Sequence, residues 1–554
     1  MKTLVDFMVK LRMAWASRRL WQPFLAQTRE PDRVQRELLI SILRKHRNTR
    51  FGKEHYFAEI SGPEDYALRV PIQHYEDLRP YLERQERDGT PELVAEQPIM
   101  YARTSGSTGK PKYVPILGDT LARHHRSQQI YSCCHHAEVP GLFNGSILAF
   151  VSPAIEGHLP SGTPYGSMSG LIYQGMPWML RRKYMIPAEV FGFSDHNLKY
   201  LLIAAFAIAD RSISFIAGAN PSSFLRVARL IREQAPTLIA AVNRGELPGK
   251  DEMDPALYRK LNARFKGSRR RAAELQGLFD RTNAITFAML WPNLKAVSCW
   301  REGSCRVLLP ALQRELPESL PILEMGYLAS ELRGTLPVAS LKHLEVPTLH
   351  ENYFEFVERG DWESGNPRIL TMENLEPGRC YHVIVTTRTG LYRYFMNDII
   401  MVGETYGRTP TIRFVEKGVG VTSITGEKLY ESQILQAIEI LAGERNWSPG
   451  FFILVADVEK QGYCFYVETH ENLNETFAAE LDAALARLNL EYESKRASGR
   501  LQPIELKMVR EGTGGLYMNH LVASGQREAQ LKLMRLQSRE KLSFDFEAHL
   551  SPTP

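Results

Sequence analysis

The sequence lacks an apolar run long enough to cross a bilayer. Its longest, LLIAAFAIA from Leu201, stops at Asp210, against the roughly 20 residues a spanning helix needs, so no integral membrane association is expected. It also has little charge of one sign: 68 Lys and Arg face 63 Asp and Glu, a surplus of five, too weak a field for a nucleic-acid partner. Cysteine is scarce, with six residues and no C-x-x-C spacing. Asp6, Lys10 and Arg12 interrupt any signal-peptide core near the start, and reduced thiols in a cytoplasmic protein are the expectation. Cys133, Cys134, His135 and His136 are adjacent, and neighbours do not converge on one ion without separated partners, so they predict no metal centre. The absence of a G-x-S-x-G elbow disfavours a serine hydrolase, and the absence of G-x-G-x-x-G a Rossmann dehydrogenase. There is no internal repeat and no low-complexity segment.

What is present is ordinary globular composition, 44% hydrophobic and 24% charged, in 554 residues, too many for one core. Leu4, Phe7, Met8, Leu11 and Trp15 have helical spacing, and this face is expected to pack on the protein's own body. Helical periodicity dominates the first hundred residues. Strands at SILAFVS (146–152) and SISFIAG (212–218) then alternate with helices, predicting α/β layers. Asn220 before Pro221 marks a helix start, with the helix running to Ile231. From Cys380 the texture turns to strands: CYHVIVTT, LYRYF, IIMVG and TIRFV. A helix (428–441), two strands (451–455, 463–468), a helix (474–488) and a strand (504–509) follow. With TIRFV or the segment just after it as first strand, this reads as a split β-α-β-β-α-β unit. The expected architecture is a large multilayer α/β N-terminal domain, residues 1–415, and a smaller, mobile α+β C-terminal domain, residues 416–554. Glycines 418 and 420 give it a hinge.

The stretch YARTSGSTGKPKYVP (101–115) sets hydroxyls, glycines and lysines side by side, the groups that surround polyphosphate oxygens. It is not a Walker loop, because Thr104 stands where that loop needs Gly and Pro111 follows Lys110. A polar surface turn uses the same residues; two lysines and four hydroxyls in nine positions favour phosphate.

The TSGSTGKPK signature resembles the phosphate loop of the adenylate-forming superfamily, and the chain most resembles its Gretchen Hagen family, the auxin-responsive acyl acid amido synthetases. The resemblance implies that Thr104, Ser105, Gly106, Ser107, Thr108 and Lys110 contact nucleotide phosphates. GYLASE (326–331) resembles the family's Tyr-Ala-Ser-Ser-Glu. By that match Tyr327 stacks on adenine, Ser330 reaches the α-phosphate and Glu331 ligates Mg²⁺, roles suited to an aromatic face and a hard carboxylate. NYFEFVE (352–358) resembles the strand that follows, to which no catalytic role is carried. In TTRTGLYRYFMNDIIMVG (386–403), Asp398 would accept from the two ribose hydroxyls, with Asn397 replacing the usual Gly. RFVEKGVGVTSITGEKLYE (413–431) resembles the hinge and the opening of the small domain, where Lys428 is implied to contact nucleotide phosphate; a solvated first-turn helix lysine is the other reading. In SGQREAQLKLMR (524–535), Lys532 is implied to be the mobile lysine of adenylation, offsetting charge as pyrophosphate leaves.

The implied chemistry uses ATP and Mg²⁺. A substrate carboxylate becomes an acyl adenylate, an amino-acid amine then displaces AMP to give an amide, and the small domain rotates about 416–420 between steps. The acid is expected beside IEGHLPSGTPYGSMSG (155–170), and Arg123, His125 or Arg126 are candidate cations for it against an ordinary solvated role. Two alternatives use the same motifs: a ligase forming a thioester to CoA or a carrier, and a non-catalytic acyl-nucleotide binder.

Overall fold

The structure is a computed structural model that describes residues 2–551 apart from 105–110, 283–284, 366, 419–420, 426, 446, 498, 500, 525, 527–530 and 532. The chain is α/β and forms two compact units. The first comprises Met1–Arg301, Leu312–Met396 and Ile400–Arg413, the second Glu302–Ala311, Asn397–Ile399 and Phe414–Pro554. Among the described residues no helix is long and apolar enough to cross a membrane.

The first unit opens with helices, including α1 (Lys2–Ala16) and α2 (Pro31–His46). The hairpin β1 (Met100–Thr104) and β2 (Lys112–Ile116) follows, then α3 (Thr120–Glu138) and β3 (Ser146–Ala149). Two short strands, β4 (Gly157–His158) and β5 (Pro164–Gly166), precede α4 (Trp178–Arg181), β6 (Ile213–Ala217) and α5 (Pro221–Glu233). Strands β7 (Ala296–Cys299) and β8 (Ile322–Glu324) complete a parallel sheet in the order β3-β6-β7-β8. Its β6 and β7 strands are almost wholly buried and read as continuous apolar runs, as a sheet covered on both faces requires.

The helix start at Asn220 holds: its Oδ1 accepts from Ser222 N at 2.9 Å, Pro221 occupies the first turn, and the helix continues two residues past Ile231. The apolar face assigned to the first helix does not hold. Helix α1 turns Val9, Met13 and Ala16 inward against Cys133 and Leu180, leaving Phe7, Leu11 and Trp15 outside. The helix carries two apolar stripes, and periodicity alone does not choose which meets the body. Ala16 is fully buried on the inner one.

A further hairpin, β9 (Thr335–Ala339) and β10 (Leu344–Pro347), precedes a five-stranded sheet. That sheet holds β11 (Asn352–Glu358), β12 (Ile369–Leu370), β13 (Cys380–Thr387), β14 (Tyr394–Tyr406) and β15 (Thr409–Lys417) in the order β12-β11-β13-β14-β15.

In the second unit a two-residue pairing of β16 (Val421–Thr422) with β17 (Leu429–Tyr430) leads into α6 (Glu431–Arg445). The antiparallel pair β18 (Phe451–Asp457) and β19 (Gly462–Glu468) forms the centre of a four-stranded sheet. After α7 (Glu475–Leu488) and α8 (Leu490–Ala497), β20 (Glu505–Met508) runs parallel to β19. After α9 (Thr513–Ala523), β21 (Leu536–Ser538) runs parallel to β18. The expected first strand is thus corrected. TIRFV belongs to β15 of the five-stranded sheet, and the position beside β18 is taken by β21 from far along the chain. The strand pattern was local, whereas the pairing partner is a long-range choice. Both faces of β18 are buried: Phe452, Leu454 and Ala456 face α6 and α7, and Phe451, Ile453 and Val455 meet Tyr517 and Phe546.

Candidate active site

In a parallel sheet, ligands meet the loops outside the carboxyl ends of the strands. The turn Gly326–Glu331 leaves the carboxyl end of β8, and its backbone is held tightly. Glu324 accepts from Arg301 N at 2.8 Å and from Gly326 N at 2.9 Å. Tyr327 N donates to Thr335 Oγ1 at 2.8 Å, Tyr327 O accepts from Gly334 N at 2.7 Å, and Ala329 N donates to Leu332 O at 2.9 Å. The Tyr327 ring is 3% exposed and lies on Gly334, where a Cβ would come within 2.2 Å of Cδ1. Ser330 and Glu331 are half-buried on the same turn. Nothing in the sequence marks a lone glycine and threonine at 334 and 335 as the seat for a ring eight or fewer residues away.

Two residues beyond Glu331, Arg333 is buried with its guanidinium 4.9 Å from the Tyr131 ring, and its Nε and Nη2 find no acceptor among the described residues. Burial holds its pKa below the usual value. Glu351 is nearby electrostatically. Burial would raise its carboxyl, but His350 and the Ser127 hydroxyl hold it down at about 2.

Strands β1 and β2 pair in register from Met100↔Ile116 to Thr104↔Lys112, so Thr104 ends one arm of a hairpin. Ser105, Gly106, Ser107, Thr108 and Lys110 lie outside the described residues. Lys112 Nζ donates to Tyr394 Oη at 3.2 Å and sits over the Tyr75 and Tyr394 rings. On the other side β1 runs parallel to β5, with Tyr101↔Tyr165 and Ala102↔Gly166. The glycine-rich segment 155–170 therefore shares a sheet with the hairpin. A Cβ on Gly166 would lie 2.0 Å from Ala154 O, so only glycine permits that approach. Of the candidate cations for an acid, Arg123 is paired with Asp119, His125 Nε2 lies 3.1 Å from Ile172 O and Arg126 is exposed. Cys133, Cys134 and His135 are core residues: Cys134 Sγ and His135 Nδ1 both meet Ser340 Oγ, at 3.2 and 3.0 Å.

The turn joining β13 to β14 rests on a buried ion pair. Arg393, at φ +43°, donates from Nε to Glu355 at 3.0 Å and from Nη1 to the carbonyls of Ala67 and Val70 at 2.9 and 2.7 Å. Burial raises the Glu355 pKa, and Arg393 opposes it. Glu355 and Arg393 thus tie the strand NYFEFVE to the turn before β14.

In the second unit, Asp398 is 0% exposed and ion-paired with Lys417. Asn397 has φ +53° and its carbonyl accepts from Gly418 N at 2.9 Å. That left-handed conformation explains the usual glycine and the tolerance of asparagine. Lys417, a partner that no local spacing marks, lies nineteen positions away on another strand. Lys428 precedes β17 and lies three residues before α6, so the first-turn helix placement is corrected; asparagine and glutamate side chains hold its backbone instead. Its N–H donates to Glu491 at 3.0 Å and its carbonyl accepts from Asn489 at 2.7 Å. Glu416 accepts from Ser432 N at 2.9 Å and Ser432 Oγ at 3.0 Å, anchoring the expected hinge stretch to the first turn of α6. Lys532 lies outside the described residues. Three positions on, buried Arg535 donates to Phe452 O at 2.7 Å and its N–H meets Glu431. Burial brings the Arg535 pKa down to about 10 against the pull of Glu431.

Comparison with known proteins matches three domain families along the chain. The GH3 family N-terminal domain covers residues 21–322, the GH3 family central domain 346–417 and the GH3 family C-terminal domain 432–541. Indole-3-acetic acid-amido synthetase GH3.3 of Arabidopsis thaliana is 22% identical, over 92% of this chain and 90% of its own length. Jasmonoyl-L-amino acid synthetase GH3.5 of Oryza sativa subsp. japonica is 24% identical, over 92% of each chain. Among solved structures, the GH3.15 acyl acid amido synthetase superimposes with a TM-score of 0.83 at 20% identity, covering 100% of this chain and 97% of its own. A 2-hydroxyisobutyryl-CoA ligase in the postadenylation state shares the fold more distantly, at TM-score 0.54 and 14% identity over 92% and 90% of the two chains.

Proposed function

The chain belongs to the GH3 family, and on that premise we propose that it activates a carboxylic acid with ATP and passes the acyl group to an amino-acid amine. The protein is an amido synthetase, an adenylate-forming ligase that makes carbon–nitrogen bonds. In the first half-reaction a carboxylate oxygen of the acid bonds to the α-phosphorus of ATP as the bond to pyrophosphate breaks. In the second, a neutral amine bonds to the acyl carbon, AMP leaves and the amine proton is lost.

The observation that carries the reading is the turn after β8, where Tyr327, Ser330 and Glu331 stand together at the carboxyl end of a parallel sheet. In this reading Tyr327 meets adenine, Ser330 the α-phosphate and Asp398 the ribose, with Lys417 orienting the Asp398 carboxylate. Thr104, Ser105, Gly106, Ser107, Thr108 and Lys110 hold the phosphates. Glu331, a half-buried carboxylate on that turn, fits a hard cation, and Mg²⁺ there supplies charge neutralisation at phosphate oxygens. Lys532 offsets the charge that builds as pyrophosphate departs, and Lys428 adds a second cation toward the nucleotide. Residues 1–415 act as the adenylation domain and 416–554 as the smaller mobile domain, in a cytoplasmic enzyme.

The test has two stages. Carboxylic acids are screened for ATP-dependent pyrophosphate release, and amino acids and CoA are then compared as accelerators of AMP formation. An acid-dependent first stage and an amino-acid-dependent amide product are expected. No acid-dependent pyrophosphate release across indole, jasmonate-like, benzoate and fatty acids overturns adenylation, and acceleration by CoA alone reassigns the chain to a thioester ligase.

A further inference from the structure

Helix α1 spends one apolar stripe on its own body and displays a second. Phe7, Leu11 and Trp15, spaced four apart on one face, are 58, 56 and 52% exposed. Beside it α4 packs Leu180 against the buried side of α1, and its Trp178 is 55% exposed with Arg182 over the ring at 5.2 Å. Isolated apolar side chains at a surface need no explanation, but four large ones on two touching elements do. The charge around them is one-sided: residues 2–21 hold five Lys and Arg against the single Asp6.

The basic character continues from Arg182 into a cleft of about 610 Å³, lined also by Arg264 and Lys266, while Lys183 in its wall is buried and donates to Phe143 O at 3.1 Å. Its one acidic lining residue, Asp210, is engaged by Ser212 N and Oγ at 2.8 and 2.7 Å. Glu189 neighbours the cleft, 4.0 Å from Arg264, with Lys260 nearer at 2.9 Å. Lys183 and Tyr184 also line the small cavity beneath Val9, Arg12 and Met13 of α1, so the cleft and the helix that bears the stripe border one segment.

We propose that this face docks on an anionic phospholipid surface. Phe7, Leu11, Trp15 and Trp178 enter the interfacial layer, and the cations of the cleft meet lipid phosphates. Aromatic side chains favour the headgroup level, and an in-plane helix with apolar and cationic flanks binds anionic bilayers without spanning them. The charge sign selects anionic lipid over neutral lipid or a second copy of the same basic face.

The full chain is sedimented with vesicles of phosphatidylcholine, with and without phosphatidylserine, and its tryptophan fluorescence is followed with brominated lipid. Binding to the phosphatidylserine vesicles that weakens with added salt is expected, with quenching by the bromines. The triple change Phe7→Ser, Leu11→Ser, Trp15→Ser weakens binding about tenfold or more. Arg182→Glu with Lys266→Glu does so on phosphatidylserine vesicles by a similar factor, roughly tenfold. Both variants retain acid-dependent pyrophosphate release in solution, so failure here is separable from failure of the enzymatic reading. The proposal is overturned if the unaltered chain stays with the supernatant in both vesicle types, or if bromines leave its fluorescence unchanged. A dimer in solution that the serine variant disperses also overturns it, making the face a contact between copies.

Discussion

At the residue scale the candidate site depends on groups that carry no assigned role in the sequence but seat the residues that do. Gly334 is the clearest. Its missing Cβ leaves the space the Tyr327 ring occupies, and 2.2 Å is far inside any carbon contact. Gly334→Ala is expected to shift Tyr327 and weaken ATP binding about tenfold while leaving the melting temperature within a few degrees, measured by nucleotide titration and thermal unfolding. Unchanged affinity would detach Tyr327 from adenine. Lys417 is a second such group, the cation that meets the buried Asp398 carboxylate from the neighbouring strand.

At the element scale, His46 fastens three pieces together. At the end of α2 its Nε2 donates to Arg388 O and its Nδ1 accepts from Ala95 N–H, both at 3.1 Å, which assigns the neutral tautomer. The helix, the segment leading to β1 and the turn after β13 thus share one ring. Burial brings its pKa down to about 4 from an ordinary 6.5, with the Arg388 carbonyl opposing. A group depressed on folding gives stability that is whole above pH 6.5 and is lost as pH falls through about 4, because the unfolded chain takes the proton first. The loss amounts to about 3 kcal/mol. His135 and His343, brought down to about 3 and about 4 by burial, add to it. Urea midpoints recorded across this window should therefore fall as pH is lowered, and His46→Gln should flatten the fall. Equal slopes in the two proteins would remove His46 from the account.

At the scale of the whole molecule, the two compact units carry different parts of the proposed chemistry. Tyr327, Ser330 and Glu331 belong to the first and Lys428 and Lys532 to the second, which also takes in Asp398 through the short segment Asn397–Ile399. If Lys532 serves only the departure of pyrophosphate, Lys532→Ala should slow acid-dependent pyrophosphate exchange by about a hundredfold or more. ATP affinity should stay within roughly threefold, as expected for an interaction made mainly in the transition state. Aminolysis of an acyl adenylate supplied from outside should proceed near the unaltered rate. Exchange at full rate would show that the lysine has been misassigned.

The sequence by itself determined the α/β class, the helix start at Asn220 and the strand pair at 451–468, while the segments 104–112 and 326–331 stood out through their resemblance to a family. The helix start and the strand pair rest on spacing within a dozen or so residues, where backbone geometry and side-chain chemistry are read directly. Only the tertiary structure decided that β21 closes the second sheet, that α1 turns Val9, Met13 and Ala16 inward, that Gly334 seats Tyr327 and that Lys417 meets Asp398. These are contacts between segments whose separate patterns allow several partners, and the choice among them is made by packing, which no local period records.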